Sequence, residues 1–405
     1  MTGKGINMSI IVQKFGGTSV ATPETRQQVV DKIIALKETG KQPVVVVSAI
    51  GRVGAPYATD TLIQFVKNHA GEMNKREYDL LLSCGEVISA VVMATLLSNK
   101  GYPAVALTGG QGGIITDNCH TQADLLYGRP DKVQSYVEEG IIPVVAGFQG
   151  LTVEGEITTL GRGGSDTTAA MLGGILKAEC IEIYTDVDGM MTADPRVCEK
   201  ASIISEISYN EVFQMADSGA KVIHPRAVEY AMHANIPLLI KNTFTDAKGT
   251  MIVQSMPKKT ENTPSRVITG IAHRLGRIQV LVNSKMDDEY EVLESIATAN
   301  ISIDLINIFP DYKVFTISEE DKEALEELLV KAGYTYQLTE GCCKVTTIGE
   351  RMTGVPGVMA RIIRALRKAH VEVLQTADSL TTIACLIKEE HLTQAITALH
   401  EEFNL

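Results

Sequence analysis

Three short runs of this chain carry residue types suited to phosphate and carboxylate. The first, Lys14-Phe15-Gly16-Gly17-Thr18-Ser19, closes the β-branched run SIIVQKF. Its glycines let backbone N–H groups approach phosphate oxygens, and a lysine at a strand end supplies a point charge that neutralises a transferring phosphoryl group. Taken alone, the same string reads equally well as a strand and a tight turn. Neither G-x-x-x-x-G-K-[ST] nor a G-x-G-x-x-G opening a helix after the first strand is present, which weakens a P-loop or Rossmann reading. The second run is Gly161-Arg162-Gly163-Gly164-Ser165-Asp166-Thr167-Thr168, ahead of an apolar helical stretch. Ser165 or Asp166 can cap that helix, whose N-terminus gathers free N–H donors, and Arg162 offers a planar fork for a carboxylate, so an anion site is expected. An ordinary capped glycine loop is the alternative, although a cap requires neither the arginine nor the glycine pair. The third is Thr185-Asp186-Val187-Asp188-Gly189 after IEIY, followed by Ala193-Asp194-Pro195-Arg196. Carboxylates at the exit of a buried strand can order lysines or magnesium, yet D-x-D-G is often only a turn. Ser83-Cys84-Gly85-Glu86 and Ser48 are weaker signals, since a helix glutamate is usually solvated.

These runs must be positioned by the elements around them. From residue 8 to about 250, short β-branched strands (SIIVQKF, PVVVVSA, PAVAL, IIPVVAG, IEIYTD) alternate with helical patterns at 23–39, 77–99 and 131–139. Apolar strands separated by amphipathic helices imply an open, mainly parallel sheet covered on both faces. Pro23 at a helix start and Gly40 just past its end punctuate the first helix, and TVEGEITT at 152–159 reads as a hairpin. The polar segment QSMPKKTENTPS at 254–265 is the expected linker. Beyond it the chain repeats with a shift of 70 positions, pairing Val292 with Ile362, Ile296 with Leu366, Ile301 with Val371, Ile317 with Ile387 and Leu329 with Leu399. Two tandem β-α-β-β-α-β modules of the ferredoxin-like α+β type are expected, at 266–340 and 341–405.

At 405 residues, with 45% hydrophobic and 21% charged residues, the chain suits two to four folding units and not global disorder. A net charge of −12 disfavours the phosphate-backbone footprint of a nucleic-acid binder. No apolar run is read as a membrane span, and MTGKGINMSI lacks a signal-peptide core, so a cytoplasmic location without membrane attachment is expected. The 7 cysteines lack C-x-x-C spacing and read as reduced thiols, mostly core filler.

In this order, K-F-G-G-T-S, S-C-G-E, L-G-R-G-G-S-D-T-T-A, T-D-V-D-G, A-D-P-R and G-A-K-V-I-H-P-R resemble bacterial aspartokinases over essentially the whole chain. Q-T-A-D-S-L-T-T near the end is similar to the Gram-positive aspartokinase I type, which is regulated by meso-diaminopimelate. The resemblance implies an amino-acid-kinase domain (8–253) followed by two ACT modules. It implies ATP- and Mg²⁺-dependent phosphorylation of L-aspartate to 4-phospho-L-aspartate, the first step toward diaminopimelate, lysine, threonine and methionine. Lys14 would bridge the phosphates and Asp166 would order it. Arg162 would clamp the substrate α-carboxylate and Glu86 its ammonium, with Thr59, Gly163, Gly164 and Ser165 in the same pocket. Phe15, Gly16, Gly17, Ser48, Thr185, Asp186, Asp194, Arg196, Lys221 and Val222 would join Lys14 around ATP, and no protein metal ligands are implied. By analogy Ser302, Ile303, Asp304 and Gln375 would meet an amino-acid effector. Ile308 stands where lysine-sensitive relatives tend to carry Gln, which favours meso-diaminopimelate over lysine. The modules imply a homo-oligomer. Two other readings remain at this point: a kinase of the same fold for glutamate or carbamate, and a non-catalytic amino-acid sensor.

Overall fold

The structure, a computed structural model, describes residues 9–220, 222–254, 266–283, 289–352 and 354–405. Nearly all of the expected linker, and Lys221, lie outside the described residues. Contacts divide the chain into two compact units, but not by a single cut near residue 253. Met191–Ser202 and 213–220 group with the residues from 266 onward, and the remainder forms the first unit.

In the first unit, runs such as VVVV and PVVA bury almost every side chain, as a strand covered on both faces must. They build an eight-stranded sheet in the order Glu206–Ser208, Thr250–Val253, Leu238–Asn242, Cys180–Thr185, Ile10–Phe15, Gln42–Val47, Ile142–Ala146, Ala104–Leu107. Every pairing is parallel except that of Leu238–Asn242 with Thr250–Val253. The first strand is therefore central, and Phe15 is level with Val47 on one side and Tyr184 on the other. Phe15 buries against Val29, Val30 and Ile33 of the helix Pro23–Glu38 and Met93 and Leu97 of the helix Lys75–Asn99. The first of these helices has Pro23 at its start behind a Thr22/Thr25 capping box. The helix Gly164–Leu176 packs close to the sheet, and a Cβ on Gly173 would come within 2.4 Å of the Ile181 side chain. A hairpin forms from Gln149–Leu151 and Ile157–Thr159 within a separate four-stranded sheet, so the expected stretch 152–159 supplies only its turn and second strand.

The helix Lys75–Asn99 corrects one expectation. An 18-residue window of it has mean hydropathy 2.1, so by length and composition it could cross a bilayer. It also carries the buried carboxylates Asp79 and Glu86, and half of that window is buried within the protein. Core helices of this kind pass the same test.

The second unit is one six-stranded antiparallel sheet, ordered Asp304–Ile308, Tyr312–Ser318, Gly270–Asn283, Thr335–Ile348, Thr382–Lys388, Gln375–Asp378. Both long strands are interrupted at a left-handed glycine, Gly276 (φ 62°) and Gly341 (φ 64°), and their pairing register shifts between Arg274 and Gln279. On one side of this break Val280, Val292, Ile296, Phe315, Ile317 and Leu329 form one core. On the other side Ile271, Val345, Ile362, Leu366, Ile387 and Leu399 form a second. Residues paired by the 70-position repeat thus occupy matching places in two cores. The modules are not cut as tandem blocks, because the half-strand 270–274 pairs with 344–348 and completes the second module's sheet. Ala193 and Cys198, from the segment that leaves the first unit after Met190, pack into that second core.

Candidate active site

Parallel pairing brings the carboxyl ends of three strands level, so the loops that follow them, 16–19, 48–52 and 185–189, open on one place. Gly17 makes this possible: a Cβ there would lie 2.8 Å from the Gly51 carbonyl oxygen and 2.9 Å from that of Ala49. The helix Gly164–Leu176 points its N-terminus at the same place. Its cap is Gly163, at φ 67°, and neither Ser165 nor Asp166 caps it. Both residues lie in the first turn instead; the Gly164 amide donates to the Gly161 carbonyl at 3.0 Å, and without a side-chain cap the Ser165 and Asp166 amides stay available to an anion. No side chain fits at Gly163, since a Cβ would fall 2.3 Å from His224.

The cleft so formed has a volume of about 400 Å³. It gathers Lys14, Gly16, Gly17, Ser48, Thr59, Glu86, Arg162, Gly163, Gly164, Ser165, Asp166, Thr185 and Asp186 from separate stretches of chain. At its floor Lys14 Nζ lies 2.6 Å from Asp166 Oδ1, and their side chains are 11% and 15% exposed. Arg162 is exposed and makes no ion pair with any described residue. Arg52 pairs with Asp186 at 3.1 Å, and Thr185 Oγ1 donates to the other Asp186 oxygen at 3.2 Å. Tyr184 lines the wall and stacks on Phe15 at 4.6 Å between ring centroids. Burial pushes its phenol far up, so it remains neutral.

Glu86 departs most from its sequence reading. A helix glutamate is ordinarily solvated, but this one is 3% exposed. Oε1 accepts a 3.3 Å bond from the Ala49 amide, while Oε2 is buried without a partner among the described residues. Desolvation, only partly offset by hydrogen bonds from its own backbone amide and from that of Ala49, pushes its carboxyl up to about 8, so it is largely protonated at pH 7. Apart from Glu86, the cleft gathers three basic side chains (Lys14, Arg52, Arg162) against two acidic ones (Asp166, Asp186), beside a helix N-terminus. It suits a polyanion, with one neutral carboxyl ready to ionise beside an arriving cation.

Several expected residues are placed elsewhere. Phe15 is buried beneath the cleft rather than lining it. Asp194 and Arg196 fall in the second unit and close on each other, with Arg196 Nη2 2.7 Å from Asp194 Oδ2 and the Arg196 amide donating to Oδ1 at 2.9 Å. The A-D-P-R string is thus a self-satisfied turn. Val222 does not line the cleft. In T-D-V-D-G Thr185 and Asp186 line it, whereas Asp188 accepts from Asn242 (2.8 Å) and Thr245 (2.6 Å) and ties down the loop. Arg52 and Phe148 were missed. Arg52 carried a weak signal, a lone cation in the glycine-containing loop after PVVVV, whereas nothing local marks Phe148. Of the expected effector residues, Ser302 is exposed and Ile303 packs against the first module's core. Burial alone would raise the Asp304 carboxyl, but its bond from Lys344 and the nearby Arg277 guanidinium, 3.8 Å away, hold it below the usual range. Gln375 donates to the Leu305 carbonyl and to Asn307 Oδ1 and accepts from Gln279 at 3.1 Å.

The amino acid kinase family model matches residues 9–242 and an ACT domain model matches 337–401. Aspartokinase 1 of Bacillus subtilis is 44% identical over 98% of this chain and 100% of its own length, and an aspartokinase of Geobacillus stearothermophilus is 39% identical over 98% of each. The chain belongs to the aspartokinase family. Among solved structures, E. coli aspartokinase III in complex with aspartate and ADP superimposes with a TM-score of 0.72 at 26% identity, covering 98% of this chain and 100% of that one. The T-state of the same enzyme, with lysine and aspartate, gives 0.76 at 25%, covering 97% and 99%. In this aspartokinase K-F-G-G-T-S, S-C-G-E, L-G-R-G-G-S-D-T-T-A and T-D-V-D-G each contribute residues to the cleft, whereas A-D-P-R and the described residues of G-A-K-V-I-H-P-R do not line it.

The state of Glu86 has a measurable consequence. Its carboxyl ionises near pH 4.5 when unfolded and near pH 8 when folded, so folding takes up a proton between these values and the penalty grows as pH rises through that window. Glu86→Gln should therefore stabilise the ligand-free protein, little at pH 4.5 and by on the order of a few kcal/mol at pH 8 and above. Denaturant unfolding followed by circular dichroism across that range checks it, and a stability gain independent of pH would contradict the buried, protonated state.

Proposed function

We propose that the protein is an aspartate kinase that transfers the γ-phosphoryl group of ATP to the side-chain carboxylate of L-aspartate. The observation that carries this reading is the charge arrangement of the cleft: a buried lysine–carboxylate pair on its floor, a free guanidinium at its rim and a buried glutamate between. The side-chain carboxylate oxygen attacks the γ-phosphorus while the bond to the β,γ-bridging oxygen breaks, giving 4-phospho-L-aspartate and ADP. A carboxylate nucleophile is already ionised at pH 7, so no proton is abstracted and no general base is needed. What remains is positioning and charge neutralisation. Lys14 neutralises the transferring group and Asp166 holds its ammonium in place. Amides of the glycine loop and of Ser165 and Asp166 in the first helical turn donate to phosphate oxygens. Arg162 binds the α-carboxylate as a fork, and Glu86 binds the α-ammonium and ionises as it does so. Asp166 and Asp186, which line the same cleft, are the carboxylates that would face an Mg²⁺ ion brought by the nucleotide, and that ion would further neutralise the phosphates.

The reading extends to a cytoplasmic enzyme at the head of the route to diaminopimelate, lysine, threonine and methionine, inhibited by meso-diaminopimelate at the ACT modules. Asp304 and Gln375 support an amino-acid site there, though Asp304 would share its charge with Lys344 and Arg277. Homo-oligomerisation through these modules is supported by the outer strand Asp304–Ile308, which ends the sheet and exposes Ile306, Ile308 and Phe309.

ADP release should require L-aspartate and be far slower with L-glutamate, and Lys14→Ala should lower kcat by a hundredfold or more, equivalent to about 3 kcal/mol, in a folded protein. Turnover within tenfold of the parent would remove Lys14 from its role. Because Glu86 must lose a proton to bind the substrate ammonium, KM for aspartate should fall as pH rises from 6 to 8, by up to about tenfold per unit, and level off above. Glu86→Gln should flatten that profile. Titrating the intact enzyme with meso-diaminopimelate and with lysine should show inhibition at lower concentration by the former; the reverse order would change the effector and leave the kinase standing.

A further inference from the structure

The loop that carries Arg162 is held by residues outside the cleft. It emerges from the strand Ile157–Thr159, through Leu160 and the left-handed Gly161 (φ 75°). Beside it runs the segment 117–125, whose Ala123 amide donates to the Thr159 carbonyl at 3.0 Å. Arg226, one residue after Pro225 at the start of the helix Pro225–Ala234, reaches both. Its Nη1 donates to the Leu160 carbonyl at 2.6 Å, its Nη2 donates to the Ala123 carbonyl, and the guanidinium pairs with Asp124. Tyr230, one helical turn on, bonds the same Asp124 at 3.2 Å and accepts from the Leu125 amide at 3.3 Å. From the opposite side the fully buried Asp79 accepts both the Thr121 amide and, at 2.5 Å, the Thr159 hydroxyl, and pairs with His120 at 2.8 Å. His224, just before Arg226, packs against Gly163 on the far side of Arg162.

We propose that Arg226 is a positioning residue for Arg162, and so sets the affinity for the carboxylate substrate without touching it. A planar fork that bonds the carbonyl two residues upstream of Arg162 fixes the direction in which that loop leaves its strand. An exposed, unpaired guanidinium on a loop with left-handed glycines at 161 and 163 gains nothing in aim from its own contacts. Its orientation is inherited from Arg226 on one flank and Asp79 on the other. The inference rests on the assignment of Arg162 to the substrate α-carboxylate.

A double-mutant cycle in the full-length enzyme tests it, using Arg226→Ala, Arg162→Ala and the double variant, with KM for aspartate and for ATP and kcat measured for each. Arg226→Ala should raise KM for aspartate about tenfold or more and change KM for ATP less than threefold. In the Arg162→Ala background, adding Arg226→Ala should raise KM for aspartate less than threefold further, because the residue it positions is gone. A merely structural arginine would give multiplying effects, or equal losses for both substrates, and either result overturns the proposal. So does an unchanged KM for aspartate in a folded Arg226 variant. If the alanine variant does not fold, Arg226→Lys, which keeps the charge and loses the fork, and Asp79→Asn, which keeps the shape on the other flank, carry the same cycle. If Arg162→Ala alone leaves KM for aspartate unchanged, the assignment of Arg162 fails instead, a result distinct from failure of the cycle.

Discussion

A lysine ammonium 2.6 Å from a carboxylate, at the carboxyl edge of a parallel sheet, is the interaction on which the first unit depends. Charges so poorly exposed must be paired, and the partners come from 152 positions apart (166 − 14) in the chain. The pair therefore demands that the helix Gly164–Leu176 lie against the central strand with its N-terminus at the strand's exit. Glycines at 163 and 173 are what permit that approach, since a side chain at either would strike His224 or Ile181.

The cleft is built for its ligand at some cost to the empty protein. A carboxyl at Glu86 with one oxygen unpartnered is a desolvation penalty that an arriving ammonium removes. Arg162 exposes a guanidinium that no described residue neutralises. On the proposed reading, both are what a preorganised site looks like before binding: the donors and charges stand where the ligand's groups would be, so less reorganisation is needed at the moment of reaction. Stability and function then pull in opposite directions at Glu86, whose buried carboxyl costs stability until it is paired.

In the second unit, two modules share a sheet because two long strands each serve both. Their glycine breaks and register shift let one strand face two cores in succession. The second of those cores includes Ala193 and Cys198, a few residues after Asp186 of the cleft in the chain. Residues that follow the catalytic sheet's strand Cys180–Thr185 are thus structural parts of the regulatory fold.

Much of this was legible in the sequence. The alternation of buried strands and amphipathic helices specified a parallel sheet, since a strand buried on both faces has few other solutions, and the 70-position repeat picked out matching core positions in both modules. K-F-G-G and R-G-G-S-D, which pair glycines with a cation, singled out two stretches that the fold brings together in one cleft, although K-F-G-G by itself reads equally well as a strand and a tight turn. Long-range placement was not legible. Nothing local distinguishes Glu86 from a solvated helix glutamate or Asp186 from Asp188, or shows that A-D-P-R closes on itself through Asp194 and Arg196 in the second unit. Nor does local sequence assign the half-strand 270–274 to the second module, or give Arg226 its hold on Leu160. Those outcomes depend on which surfaces meet, and burial, dielectric and partner distance are properties of the assembled chain rather than of any stretch of it.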